Sequence, residues 1–256
     1  MTQEEMLRLV PETLRKIEKD YNVKVLYAAE SGSRAWGFAS PDSDFDVRFV
    51  YCRPEDSYLL LEQPRDVIEL PIDDTWDVSG WDLQKALRLL ARSNPSLFEW
   101  FQSPICYWDQ GFGNRFQPLL DQYYDRSRML LHYGSMAENN WKALQKSERV
   151  KPKSYYYILR PLLACRWVLA HREAPPVPFE TLRTAMLPVG LDTELDTLLE
   201  IKRNAPEGLL IPHVPPLDAF ITEELSALQQ NREKLPPSAF PGWEPLDRFF
   251  RDEIKE

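Results

Sequence analysis

Long apolar runs are missing from this 256-residue chain: none approaches the roughly 18 residues needed to span a bilayer. The opening M-T-Q-E-E-M is acidic and has neither the basic nor the apolar part of a secretory leader. Cysteine is scarce too. Cys52, Cys106 and Cys165 are odd in number, far apart and in no C-x-x-C pair, which argues against a disulfide framework or a zinc site. A reducing cytoplasm is expected, with all three thiols as core filler. His132, His171 and His213 are scattered without ligand spacing. Basic charge is in deficit, 31 Lys and Arg against 40 Asp and Glu, for a net charge of −9. A surface that is basic all over is therefore excluded, and any nucleic-acid contact must use a local stripe. Internal repeats and low-complexity segments are absent.

What remains is an ordinary globular composition, 43% hydrophobic and 28% charged, long enough for one large domain or two small ones. Residues 2–20 carry Met6, Leu7, Val10, Leu14 and Ile17 at spacings of three and four, the pattern of an amphipathic helix that Pro11 is expected to kink or divide. Residues 23–29 read as a strand, and residues 66–70 and 75–79 as paired strands across a turn that holds Asp73 and Asp74. S-G-W-D, residues 79–82, is expected to open a helix, with Asp82 as its cap or first-turn acid. Asn94 and Pro95 supply the N-cap and first position of the next helix. One short strand is expected at 105–108. Beyond Gly111 the pattern is helical, with 14 of the 22 prolines after residue 150 marking rigid loops between short helices.

The stretch that carries chemistry is Tyr27–Tyr51, Y-A-A-E-S-G-S-R-A-W-G-F-A-S-P-D-S-D-F-D-V-R-F-V-Y. An apolar strand leads into Gly32-Ser33, ten residues intervene, and Asp44 and Asp46 then fall in a second strand. Alternation puts Asp44, Asp46 and Arg48 on one face. Paired carboxylates repel and lose solvation on burial, a conflict that hard Mg²⁺ or Mn²⁺ resolves by taking carboxylate and phosphate oxygens. Backbone N–H groups at Gly32 and the Ser33 hydroxyl suit a phosphate. Arg34 either reaches the same phosphates or forms a surface salt bridge. Glu30 is either a further ligand or an arginine's partner, and the charge of Arg48 balances the carboxylates. Asp77 and Glu69, each flanked by apolar residues, are both candidates for a further carboxylate.

This string resembles the nucleotidyltransferase superfamily related to DNA polymerase β, whose signature is a strand, Gly-Gly or Gly-Ser, and a spaced D-h-D on the next strand. It is similar in detail to bacterial and phage nucleotidyltransferases linked to RNA-repair operons. The likeness resumes in W-D-V-S-G-W-D-L-Q-K-A-L-R-L-L and in S-Y-Y-Y-I-L-R-P-L-L-A-C-R-W, covering the first two thirds of the chain. The resemblance implies a third metal-holding carboxylate on a neighbouring strand, and Asp77, inside the matching segment, is preferred to Glu69. It also implies an α+β fold: a small mixed-sheet head over 1–110 packed against an all-helical body over 111–256 that binds nucleotide and acceptor. The implied reaction moves an NMP from an NTP to a hydroxyl, with an RNA 3′ end as acceptor and Asp44, Asp46 and Asp77 as catalytic metal ligands.

A second constellation is basic. Lys142, Lys146, Arg149, Lys151, Lys153, Arg160, Arg166 and Arg172 fall within 31 residues, opposed by Glu148 alone. If RNA is the partner, this is its footprint. On a helix Lys153, Tyr157 and Arg160 share a face and form a nucleotide clamp, the ring stacking on a base and the cations taking phosphate oxygens. Three rivals stand beside this reading. The same chemistry on a protein hydroxyl or a small cationic molecule suits the acidic balance. A silent nucleotide sensor or antitoxin-like protein would have no need to keep the carboxylates. A glycosyltransferase D-x-D lacks its long nucleotide-sugar-binding domain here.

Overall fold

The stripe Met6, Val10, Leu14 and Ile17 folds as one face of a 19-residue helix, α1 (Gln3–Tyr21), each of the four at most 2% exposed. A capping box starts it: Thr2 accepts from the Glu5 N–H while the Glu5 side chain accepts from the Thr2 N–H. Pro11 sits inside without dividing the helix, and Leu7 lies on the solvent side at 47% exposure. The computed structural model describes residues 2–40, 43–71, 75–204, 208–232 and 239–255. Asp73 and Asp74, read as a turn, lie outside the described residues.

The next elements are β1 (Lys24–Glu30), the one-turn helix α2 (Gly32–Ala35), β2 (Phe45–Cys52), β3 (Val67–Glu69), β4 (Trp76–Asp82), α3 (Leu83–Leu90), α4 (Pro95–Phe101), β5 (Cys106–Asp109) and α5 (Phe112–Tyr123). The strands form one mixed sheet in the order β3-β4-β2-β1-β5. β2 and β4 run parallel and the other pairs antiparallel. Val25, Ala28, Phe45, Val47, Phe49, Tyr51, Ile68, Val78 and Tyr107 bury their side chains with the α1 stripe in one core. Gly80 lies under Phe49, its register partner: a Cβ there would fall 2.2 Å from the ring. β4 continues through the segment expected to open a helix, because Trp81 and Asp82 still pair with Val50 and Tyr51. Asp82 then caps α3, accepting from the Gln84 N–H at 2.8 Å. Asn94 caps α4 in the same way, with Pro95 in the first turn.

The second set comprises α6 (Arg126–Leu144), β6 (Arg149–Val150), α7 (Pro152–His171), α8 (Phe179–Met186), α9 (Asp192–Asn204), β7 (Ile211–Pro212) and α10 (Pro215–Arg232), followed by α11 (Glu244–Lys255). The fold is α+β, as expected, but the division of the chain is not at residue 110. One compact unit takes Met1–Trp36, Ser43–Tyr124 and Phe240–Glu256, and the other takes Gly37–Asp42 and Asp125–Ala239. The last helix returns to the first unit because its inner face has partners there. Arg115 holds Glu253 through two hydrogen bonds of 2.6 and 2.8 Å, and Phe249 packs edge-on against Phe112 and Phe116.

In the second unit α7 is the central helix, packed against α6, α8, α9 and α10. Pro161 lies inside it and has no N–H for the carbonyl of Tyr157, four residues back. The Asn140 side chain donates to that carbonyl at 2.9 Å in its place. Phe38, in the short segment that joins this unit, packs on Tyr156 and Phe179. The unit is not all helical, since β6 and β7 pair over two residues each. Two-residue strands leave no alternation to read in a sequence. Of the thiols, Cys52 and Cys165 are buried as expected, whereas Cys106 is exposed at the edge of the sheet.

Candidate active site

The parallel pairing of β2 and β4 sets Asp46 opposite Asp77. Arg48, two residues along the same face, binds both: Nη2 lies 2.9 Å from Asp46 Oδ1 and 2.7 Å from Asp77 Oδ2. Its Nη1 also donates to the Asp77 carbonyl at 2.9 Å. The expected balancing role of Arg48 is thus visible as a guanidinium between two half-buried carboxylates. Burial pushes the Asp46 carboxyl above the usual range; Arg48 pulls it down, and the charges of Asp44 and Asp77 push it further up. Asp44 is exposed and just precedes β2. Glu69 is on edge strand β3, opposite Ser79, and its carboxylate is paired with Arg65 at 2.6 Å. Of the two candidates for a third carboxylate, the sheet therefore brings Asp77, not Glu69, beside Asp46.

The Gly32-Ser33 turn is pressed against the same carboxylate. Gly32 has φ +59°, and a Cβ on it would fall 2.0 Å from Asp46 Oδ2. Only glycine combines that backbone conformation with that approach. The Ser31 N–H donates to the Asp46 carbonyl at 2.8 Å, tying the turn to β2, and Ser33 is buried at 8% exposure. Among the described residues Arg34 is turned to backbone carbonyls rather than into a surface salt bridge. Its Nε donates to the Asp44 carbonyl at 3.0 Å and its Nη2 to the Ser43 carbonyl at 2.6 Å, with the guanidinium 3.6 Å over the Phe45 ring. It fixes the segment that carries Asp44.

Glu30 is fully buried behind Asp46, accepting from the Asp46 N–H at 2.7 Å and from the Tyr107 hydroxyl. Burial pushes its carboxyl up to about 7, against these two donors, which favour the charged form. Burial likewise raises the Tyr107 phenol, so it remains a donor. Sequence reasoning missed Tyr107 altogether. It lies 77 residues from Glu30, and no local pattern announces that β5 pairs with β1.

Lys153, Tyr157 and Arg160 belong to the second unit. Tyr157 is 39% exposed, but Arg160 is 1% exposed, with Nη2 3.5 Å from the Val177 carbonyl. The expected common face is therefore split. α7 is covered on several sides, so a residue one turn from an exposed tyrosine turns inward. The basic footprint is trimmed too, with Lys142 paired to Glu138 and Arg166 to Glu224, each at 2.6 Å. Among the described residues no group of three or more His, Cys, Asp or Glu side chains is arranged to hold a metal ion. At the Asp46–Asp77 pair the charge is met by Arg48 instead.

The sequence model of the RNA repair pathway DNA polymerase beta family matches residues 6–252. The chain belongs to that family. The match runs well past the two thirds over which the motifs were legible. The chain is 38% identical over 253 residues to the uncharacterized protein YcgL of Bacillus subtilis (strain 168), covering 98% of this chain and 97% of that one. Among solved structures, it aligns with a nucleotidyltransferase-like protein from Exiguobacterium sibiricum 255-15 at 15% identity. That alignment covers 86% of this chain and 73% of the other with a TM-score of 0.30, too loose a superposition to carry an argument. The matched range takes in both the Gly-Ser turn and the strands that carry Asp46 and Asp77. Among the described residues no helix is long and apolar enough to cross a membrane.

Proposed function

We propose that the chain transfers an NMP from an NTP to a hydroxyl, the acceptor being an RNA 3′ end and pyrophosphate the leaving group. The observation that carries this reading is the pair Asp46 and Asp77, set side by side on parallel strands with the glycine turn against Asp46. The donor set is all oxygen and its charges repel, which fits a hard divalent cation, and Arg48 shows that a positive charge is accepted there. Once Arg48 yields at least one of its two contacts, Asp46 and Asp77, with Asp44, would hold Mg²⁺ or Mn²⁺, which when bound offsets phosphate charge and lowers the pKa of a coordinated hydroxyl. The chain's own work is positioning. Gly32 and Ser33 present the turn to the triphosphate, Arg34 fixes the segment bearing Asp44, and Glu30 fixes the backbone of Asp46. Asp77 takes the proton of the attacking hydroxyl, as general base, while the bond from phosphorus to the pyrophosphate oxygen breaks.

The test is incubation with each labelled NTP, Mg²⁺ or Mn²⁺, and a mixed RNA pool, following label into RNA, into the protein and into pyrophosphate. Label in RNA supports the reading. Label in the protein alone transfers the same chemistry to a protein hydroxyl, and no release of pyrophosphate from any NTP overturns it.

A further inference from the structure

A cavity of about 380 Å³ opens in the second unit, lined by residues of α6, β6, the start of α7 and Leu210. Its polar lining is Asn140, Ser147, Arg149, Lys151, Ser154 and Tyr157, and none of its described lining residues is acidic. Arg149 donates to the neutral Leu210 carbonyl at 2.7 Å, and among the described residues neither it nor Lys151 meets a carboxylate. Two cations thus face one cavity without compensation, where Lys142 and Arg166 nearby in sequence are each paired. Lys151 also occupies the N-cap of α7 and gives the first turn no side-chain hydrogen bond, so the positive end of that helix adds to the field. The aromatic wall is Tyr157, 39% exposed, and its backbone is fixed by the Asn140 bond that replaces the donor missing at Pro161. Val150 and Leu144, each 5% exposed, supply apolar backing.

We infer that this cavity binds one nucleotide unit, its phosphate on Arg149 and Lys151 and its base on the Tyr157 ring. Uncompensated cations select a dianionic or bridging phosphate, and a held aromatic ring takes any base by stacking. The volume is at the low end for ligand pockets and suits a single nucleotide rather than a duplex. The same chemistry is offered by a free nucleotide and by one residue of a single-stranded RNA. The inference rests on the nucleotidyl-transfer reading only for why such a ligand would be present. It replaces the expected clamp of Lys153, Tyr157 and Arg160 with a set that is accessible.

The experiment measures binding without turnover, in the full chain carrying Asp46→Asn. Labelled oligoadenylate is titrated by anisotropy across a salt series from about 50 to 200 mM, and AMP is added as competitor. Arg149→Ala with Lys151→Ala should reduce the slope of log K against log salt by about 1.4, two contacts at roughly 0.7 each on a single strand. Arg149→Lys with Lys151→Arg should restore it. Tyr157→Leu should weaken binding at least about fivefold while Tyr157→Phe stays within about twofold, since the ring and not the hydroxyl does the stacking. AMP competing through the same residues identifies a free nucleotide as occupant, and oligoadenylate bound without competition identifies the strand. Unchanged slope and affinity in both the double-alanine and leucine variants, each with wild-type melting temperature, would overturn the inference. So would no binding of either ligand at about 50 mM salt. Failure of transfer in the wild type would leave this test standing, because it reads binding alone.

Discussion

Arg48 holds a position that a bound cation would contest. Its guanidinium bridges Asp46 and Asp77, so a divalent ion taking both carboxylates must weaken at least one of those contacts. Arg48→Met should therefore raise the apparent affinity for Mn²⁺, read by calorimetry on the NTP-free protein. It should also lower the melting temperature of the metal-free protein, since two half-buried like charges are left to repel. Unchanged Mn²⁺ affinity would place the ion away from this pair. Glu30 gives a second prediction at this scale. Its carboxyl has an ordinary value near 4.5 and is pushed up to about 7 in the fold. The unfolded chain thus loses that proton first, and stability falls as pH rises from about 4.5 towards 7 and then levels. Chemical denaturation in EDTA should show that slope, worth on the order of 3 kcal/mol, and Glu30→Gln should remove it. Asp44, Asp46, Gly32 and Ser33 were legible in the sequence because their spacing is local. The bridging by Arg48 was legible only as parity, and the Glu30–Tyr107 contact not at all, because its two halves meet through the sheet.

Elements with a strong period were readable, and those set by pairing were not. The α1 stripe, the Asn94 cap and the apolar β1 and β2 follow from local pattern. The segment Ser79–Asp82 was misassigned because its S-G-W-D sequence suits a helix start, whereas the ladder to β2 holds it extended. Gly80 is the element's signature: it leaves room for Phe49, and Gly80→Ala should cost on the order of 1–3 kcal/mol by overpacking, checked by urea denaturation. Asp82 ends the strand and starts α3. It accepts from the Gln84 N–H and, at 3.1 Å, from the Tyr58 hydroxyl. Asp82→Ala should cost about 1–2 kcal/mol, and Asp82→Asn, which keeps a capping oxygen, distinctly less. Equal losses would mean that charge rather than capping matters.

For the molecule as a whole, the sequence announced the α+β class and the change from strands to helices, but not that the last helix goes back to the first unit. No local signal could have done so: α11 is an amphipathic helix like several others, and its anchors are Arg115 and Phe116, over 120 positions away. Ending the chain at residue 239 should therefore destabilise the sheet-bearing unit, exposing Phe112, Phe116 and the Arg115 guanidinium. Glu253→Ala should do so in part, by about 1–3 kcal/mol for the lost charge-assisted hydrogen bonds, since the Arg115 left behind is 42% exposed and can be solvated. Thermal melts of both variants check this.

The central claim is that Asp46 and Asp77 form one catalytic centre for nucleotidyl transfer. Its most direct test is pyrophosphate release from the preferred NTP, in Mg²⁺ with RNA acceptor, by wild type, Asp46→Asn, Asp77→Asn and Glu69→Gln. The expected result is loss of at least about a hundredfold in each aspartate variant, with native melting curves and near-normal activity in Glu69→Gln. Transfer within about tenfold of wild type in Asp46→Asn or Asp77→Asn would contradict it.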